Sequence, residues 1–99
     1  MRKVVVSKTA AAKLNHLPHY LETEWSENVK QNFIATLDTY LKQISKYTHS
    51  FKKSQMKPEL YRCVVTRQTS IFYTFDEHRI YIVTLFDNRM DLIKLKKTN

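Results

Sequence analysis

Apolar residues recur with helical spacing along the first half of the chain and with the period of a strand along the second. Residues 2–7, Arg-Lys-Val-Val-Val-Ser, open with a β-branched run that predicts a strand. Ser7 or Thr9 can then cap a helix that begins at the alanines. Ala10, Leu14, Leu17, Leu21 and Trp25 follow at steps of three and four, which is one face of that helix. Pro18 lies inside the pattern. Its missing N–H, and the clash of its ring with the Leu14 carbonyl, predict a kink or a split near His16. Ser26 is the N-cap of a second helix, with Glu27 favoured by the dipole in its first turn. Val29, Phe33, Leu37, Tyr40, Leu41 and Ile44 mark its apolar face as far as about Tyr47. The two stripes belong together as an antiparallel hairpin, with Trp25 at the bend read as a core anchor.

Residues 48–59 have no period and carry Lys52, Lys53 and Lys57, the pattern of a basic surface loop. After it the period changes to two. Leu60–Thr66, Ser70–Phe75 and Arg79–Phe86 read as strands, and the short polar links between them make an antiparallel meander. The tail, Asp87–Asn99, is polar apart from Met90, Leu92, Ile93 and Leu95. The order β-α-α-β-β-β predicts a single α+β domain over residues 1–99, with both helices on one face of the sheet. Strict alternation puts Ile71, Tyr73 and Phe75 opposite Phe72, and puts Tyr81, Val83 and Leu85 opposite Ile80, Ile82 and Phe86. Both sheet faces are then apolar while the helices cover one. Either the tail and loop cover the second face, or a partner docks there.

Charge and composition narrow the possibilities. The chain has 99 residues, with 17 Lys+Arg against 9 Asp+Glu, a net charge of +8. Such a surplus on a small domain implies an anionic partner. Glycine is absent, which excludes a P-loop, a G-x-G-x-x-G dinucleotide turn and a G-x-S-x-G nucleophile elbow, since each needs a backbone without a Cβ. Cys63 is the one cysteine and cannot form an internal disulfide; on the same strand side as Tyr61 and Val65, it reads as a buried, inert thiol. No signal-like or membrane-length apolar run is present, so a cytoplasmic protein without a membrane role is expected. His16, His19 and Glu22 superficially have ligand spacing, but Pro18 disturbs it and a fourth ligand is lacking. They read as surface residues, and no metal or cofactor is expected.

Val-Val-Val-Ser-Lys-Thr-Ala before a helical hairpin, Leu60-Tyr61-Arg62-Cys63-Val64-Val65, Ile71-Phe72-Tyr73 and the closing Ile82-Val83-Thr84-Leu85-Phe86-Asp87-Asn88-Arg89 together resemble the RelE/ParE superfamily. These are toxins of type II toxin–antitoxin systems, also called plasmid stabilisation proteins, and the likeness runs from about Lys3 to Leu95. RelE-like members cut messenger RNA on the ribosome, whereas ParE-like members poison DNA gyrase and are not nucleases. The resemblance implies a cognate antitoxin, expected to be acidic with apolar anchors, and a hetero-oligomeric complex with it. The nuclease arginine of a Gly-Tyr-Arg-x-x-Tyr segment falls, on alignment at Tyr73, on Ser70, and its glycine is gone too. Residues 90–99 also lack the Tyr or His expected of a nuclease. Asp87-Asn88-Arg89 with Asp91 is similar to the Asp-x-Arg-x-Asn/Asp-Pro segment of ParE-like proteins, with Leu92 in place of the proline. The ParE-like branch, a gyrase inhibitor, is therefore favoured. The alternatives are a ribosome-dependent endoribonuclease and a non-toxic relative that only binds its antitoxin.

RNA cleavage through the 2′-hydroxyl needs an acid, a base and cations around the phosphate. Arg62, Arg89, Lys52 and Lys53 are the weak catalytic candidates, and Glu59 and His78 the only nearby acid–base groups. For partner or target binding the candidates are Arg62, Arg89, Asp87, Lys57, Phe72 and Phe86. Each cation has a plainer reading beside this one. Arg89 can form an ion pair with Asp87, Arg62 can be a solvated edge charge, and the lysines can simply make a loop soluble.

Overall fold

The computed structural model of the chain describes residues 2–55 and 57–89. The reading of the tail beyond Arg89 lies outside these residues. Strand β1 spans Lys3–Val6 and helix α1 spans Lys8–Glu24. Between them Ser7 ends the strand and caps the helix, its hydroxyl accepting from the Ala10 amide at 3.0 Å. Helix α2 spans Glu27–Lys46, and the Ser26 hydroxyl accepts from the Val29 amide at 3.1 Å. A 3-10 turn over Thr48–Ser50 leads into β2 (Lys52–Lys53), β3 (Tyr61–Val64), β4 (Thr69–Phe75) and β5 (Arg79–Asp87).

The five strands form one mixed sheet in the order β1-β5-β4-β3-β2, with β1 parallel to β5 and every other pair antiparallel. The α+β order and the β3-β4-β5 meander match the expectation from sequence. Ala10 and Ile44 from the two helices pack with Cys63, Ile71, Tyr73, Ile80 and Ile82 from the sheet, so both helices lie on one face. Leu17, Leu21, Phe33 and Leu85 continue the core toward the hairpin bend. Cys63 is fully buried, as expected, and burial pushes its thiol up to about 11.

Four local readings are corrected. Of the kink or split expected at Pro18, the split does not occur: helix α1 runs through the proline, with Leu17 and Leu21 buried on either side of it. Trp25 is no core anchor: at the bend it is 58% exposed. Residues 48–59 are not simply a surface loop. Thr48 and Ser54 are buried, the Tyr73 hydroxyl donates to the Thr48 carbonyl at 2.8 Å, and Lys52 and Lys53 form the edge strand. A strand of two residues is too short to show a period.

The fourth correction concerns the faces of β5. Phe72 pairs with Thr84 while Tyr73 pairs with Ile82, so Val83 is an extra residue in β5, a β-bulge. The bulge reverses the alternation. Ile80 and Ile82 are buried before it and Leu85 and Asp87 after it, while Phe86 turns to the opposite face. Leu85 is thus brought to the core side, against the strict alternation expected. The Ser7 hydroxyl donates to the Val83 carbonyl at 2.6 Å and the Ser7 amide to the Ile82 carbonyl at 3.0 Å. One side chain therefore caps α1 and binds β5 at its irregular point.

Replacing Ser7 with alanine removes both bonds and is expected to lower stability by about 2 kcal/mol, roughly 10 °C in melting temperature for a domain of this size. Thermal and urea unfolding measure it. At the β4–β5 turn, the His78 and Arg79 backbone amides, each 2.8 Å from one Asp76 oxygen, hold the Asp76 carboxyl below its ordinary range. The stability it lends is full above about pH 4, where the unfolded carboxylate is ionised, and is lost as pH falls through the lower folded value. Asp76→Ala should flatten that acid-side slope in pH-dependent unfolding.

Candidate partner-binding groove

The face of the sheet turned away from the helices presents a cross-strand row set by register. Lys52 of β2 stands opposite Arg62 of β3, Arg62 opposite Phe72 of β4, and Phe72 opposite Thr84 of β5. The next row is Val64, Ser70 and Phe86. Opposed residues of an antiparallel pair share a face, so Lys52 and Arg62 are like charges placed side by side, which is unfavourable in isolation. Val64 at 51% and Phe86 at 44% are exposed here, and Phe72 is half-buried.

A groove of about 550 Å³ runs along this face. Arg62, Ser70, Phe72, Thr84 and Phe86 line it, with Ser54, Gln55 and Lys57 from the β2–β3 connection and Lys13 from α1. Lys13 reaches it because β1 pairs only with Arg79–Ile82, which leaves the later part of β5 without a strand on that side. There its ammonium donates to the Leu85 carbonyl at 3.0 Å. Among the described residues, Lys13, Lys52, Lys53, Lys57 and Arg62 take part in no ion pair. The described lining contains no carboxylate and no imidazole.

Arg62 is held by a neutral partner. Its Nε donates to the Ser70 hydroxyl at 3.1 Å, and Ser70 is only 6% exposed. The terminal nitrogens of the guanidinium have no acceptor among the described residues, so the fork is available to an anion.

Arg89 and Asp87 are engaged with each other. The Arg89 Nη2 and Nε donate to the Asp87 carboxylate at 2.8 and 3.2 Å, and the Arg89 amide donates to it at 2.9 Å. Asp87 is fully buried, takes a further bond from the Thr69 hydroxyl and sits opposite Thr69 in the β4–β5 register. The Tyr20 hydroxyl donates to the Arg89 carbonyl at 3.2 Å, tying this corner to α1. The plainer reading of Arg89, an ion pair, is what the geometry shows.

Of the sequence-derived candidates, Arg62, Lys57, Phe72 and Phe86 meet in the groove, with Lys52 in register beside them and Lys53 exposed on the same edge strand. Asp87 and Arg89 lie outside its lining. Glu59 is exposed and absent from the lining. His78 lies at the far turn of the β4–β5 hairpin, beside a separate hollow of about 790 Å³ with Arg2, Ser45, Lys46 and Glu77. His16 and His19 are exposed and Glu22 pairs with Lys30 at 2.8 Å, a bond that holds the Glu22 carboxyl below its ordinary range. Lys13 and Ser70 escaped the sequence reading. A lysine on a helix flank carries no signal of the strand edge it will reach, and the pairing of Ser70 with Arg62 depends on register.

The profile of the ParE toxin of type II toxin–antitoxin systems (parDE) matches residues 4–92. The chain belongs to this family. Among solved structures, a chain of the chromosomal ParDE system from P. aeruginosa superposes with a TM-score of 0.73 at 12% identity, covering 88% of this chain and 96% of that one. A YafQ variant from E. coli superposes with a TM-score of 0.59 at 7% identity, covering 91% and 97%. At such identities these two likenesses establish the fold. A search of curated protein sequences gives no significant match. No helix among the described residues is long and apolar enough to cross a membrane.

Asp87→Ala would leave Thr69 and the 15%-exposed Arg89 side chain without their shared carboxylate. A loss of about 3 kcal/mol is expected in chemical denaturation. Arg89→Ala should lose a similar amount, and the double variant clearly less than the sum.

Proposed function

We propose that this ParE-family chain acts as a toxin by binding and inhibiting DNA gyrase, without covalent chemistry of its own, and that a cognate acidic antitoxin neutralises it in a cytoplasmic hetero-oligomer. The observation that carries this reading is the groove. It gathers Lys13, Lys57 and Arg62 around an apolar floor, yet its described lining holds no carboxylate and no imidazole. A site of that kind suits binding of an anionic surface, and the side chains most often used to move a proton, His and Asp/Glu, are not among its described lining. Family membership supports the antitoxin, and the charge of +8 explains why its binding segment should be acidic.

Two kinds of measurement test the reading. Expression without antitoxin should stop growth with transcripts intact, and the purified chain should inhibit supercoiling of relaxed plasmid by gyrase. Transcripts cut within codons would replace this function with the ribonuclease, and harmless expression would leave a chain that only binds its antitoxin. Arg62→Ala should reduce gyrase inhibition by roughly tenfold or more with little change in melting temperature, because it removes an exposed charge-assisted donor. Arg89→Ala should lose activity only together with stability, so equal activity losses at unchanged stability would reverse the roles of these two arginines.

A further inference from the structure

The groove is more selective than a cationic patch. Its cations flank the floor on both sides: Lys57 and Arg62 from the β2–β3 side, extended by Lys52, and Lys13 from the far edge of β5. Between them Phe72 and Phe86 occupy neighbouring rows on adjacent strands, so the two residues are diagonal neighbours, within reach of each other's rings. Flanking positive charge with one exposed ring, Phe86, and one half-buried ring, Phe72, along the path suits a polymer that carries a phosphate and a flat base at every step. Bases paired in a duplex present no free face to such rings, whereas those of a single strand do. An acidic peptide would satisfy the cations and could set apolar side chains on the rings, but it does not carry a flat face at every step; it is the alternative that the glutamate peptide in the test addresses.

We propose that this groove binds single-stranded DNA, with phosphates on Lys13, Lys52, Lys57 and Arg62 and successive bases on Phe72 and Phe86. Ser70 is a positioning residue: its buried hydroxyl holds the Arg62 Nε and leaves the guanidinium fork for phosphate. The strand is bound and left intact: DNA has no 2′-hydroxyl to act as internal nucleophile, and the described lining holds no carboxylate or imidazole. The proposal rests on the gyrase reading for its biological setting, where DNA strands are opened, but the binding itself requires no gyrase.

The test is fluorescence anisotropy of the full chain with fluorescein-labelled dT12, over a range of salt concentrations. With four phosphate contacts, log K should fall against log salt with a slope of about −3. A duplex of the same length and a twelve-residue glutamate peptide should each bind at least tenfold more weakly. Phe86→Ala should weaken dT12 binding roughly 5- to 150-fold. Ser70→Ala should weaken it several-fold at an unchanged fold, with recovery in Ser70→Thr. The exposed Lys57→Glu serves as a second variant that leaves the core untouched, and it should also reduce binding. Absence of dT12 binding, equal affinity for the duplex or the glutamate peptide, or full affinity in Phe86→Ala would each overturn the proposal. A parallel supercoiling assay separates the two readings: dT12 binding without gyrase inhibition removes the gyrase function, and gyrase inhibition without dT12 binding removes this one.

Discussion

The fold depends on a single hydroxyl at the junction of β1 and α1. Ser7 accepts the Ala10 amide as a helix cap and donates to the carbonyl of Val83, the extra residue in β5. Those two bonds set where the helix starts relative to the sheet. They also hold β5 at the point where its alternation reverses. Without the bulge, Leu85 and Asp87 would face away from the helices and Phe86 would enter the core. With it, Leu85 joins Leu17, Leu21 and Phe33 beneath the helices, and Phe86 is left in the groove. Core and binding face are therefore set by one irregularity.

Opposite charges are used in two ways around that irregularity. At the end of β5, Asp87 and Arg89 neutralise each other in a buried corner with Thr69, where each bond relieves a desolvated group. Nearby, Arg62 has among the described residues only the neutral Ser70 as a hydrogen-bond partner and faces Lys52 across the edge of the sheet. The first arrangement consumes its charge for structure. The second leaves charge unspent: Lys52, Lys57 and Arg62 on this face are part of a net charge of +8 that an anionic partner can recognise.

Much of this was legible in the residues. Ser26 followed by an apolar stripe marked α2 with its cap, and the β-branched runs marked the meander. Cys63 read correctly as a core position from its neighbours' parity. Arg62, Lys57, Phe72 and Phe86 were named from residue type and strand position, and they lie together. The misreadings have physical causes. Trp25 satisfied the helical period but falls at the hairpin bend, where no sheet lies beneath it. Pro18 forfeits one hydrogen bond, which buried leucines on both sides outweigh. Lys52 and Lys53 form a strand only because β3 offers them an edge.

By itself the sequence determined the order of elements apart from β2, the cap of α2, the positive charge and the absence of glycine-dependent nucleotide chemistry, because each follows from local sterics or from counting charges. Only the tertiary structure decided which face each residue of β5 presents, which serine orients Arg62, and that Lys13 reaches the groove. Those outcomes turn on one inserted residue and on strand register. A shift of one position inverts every side chain beyond it, while the composition of the strand remains the same.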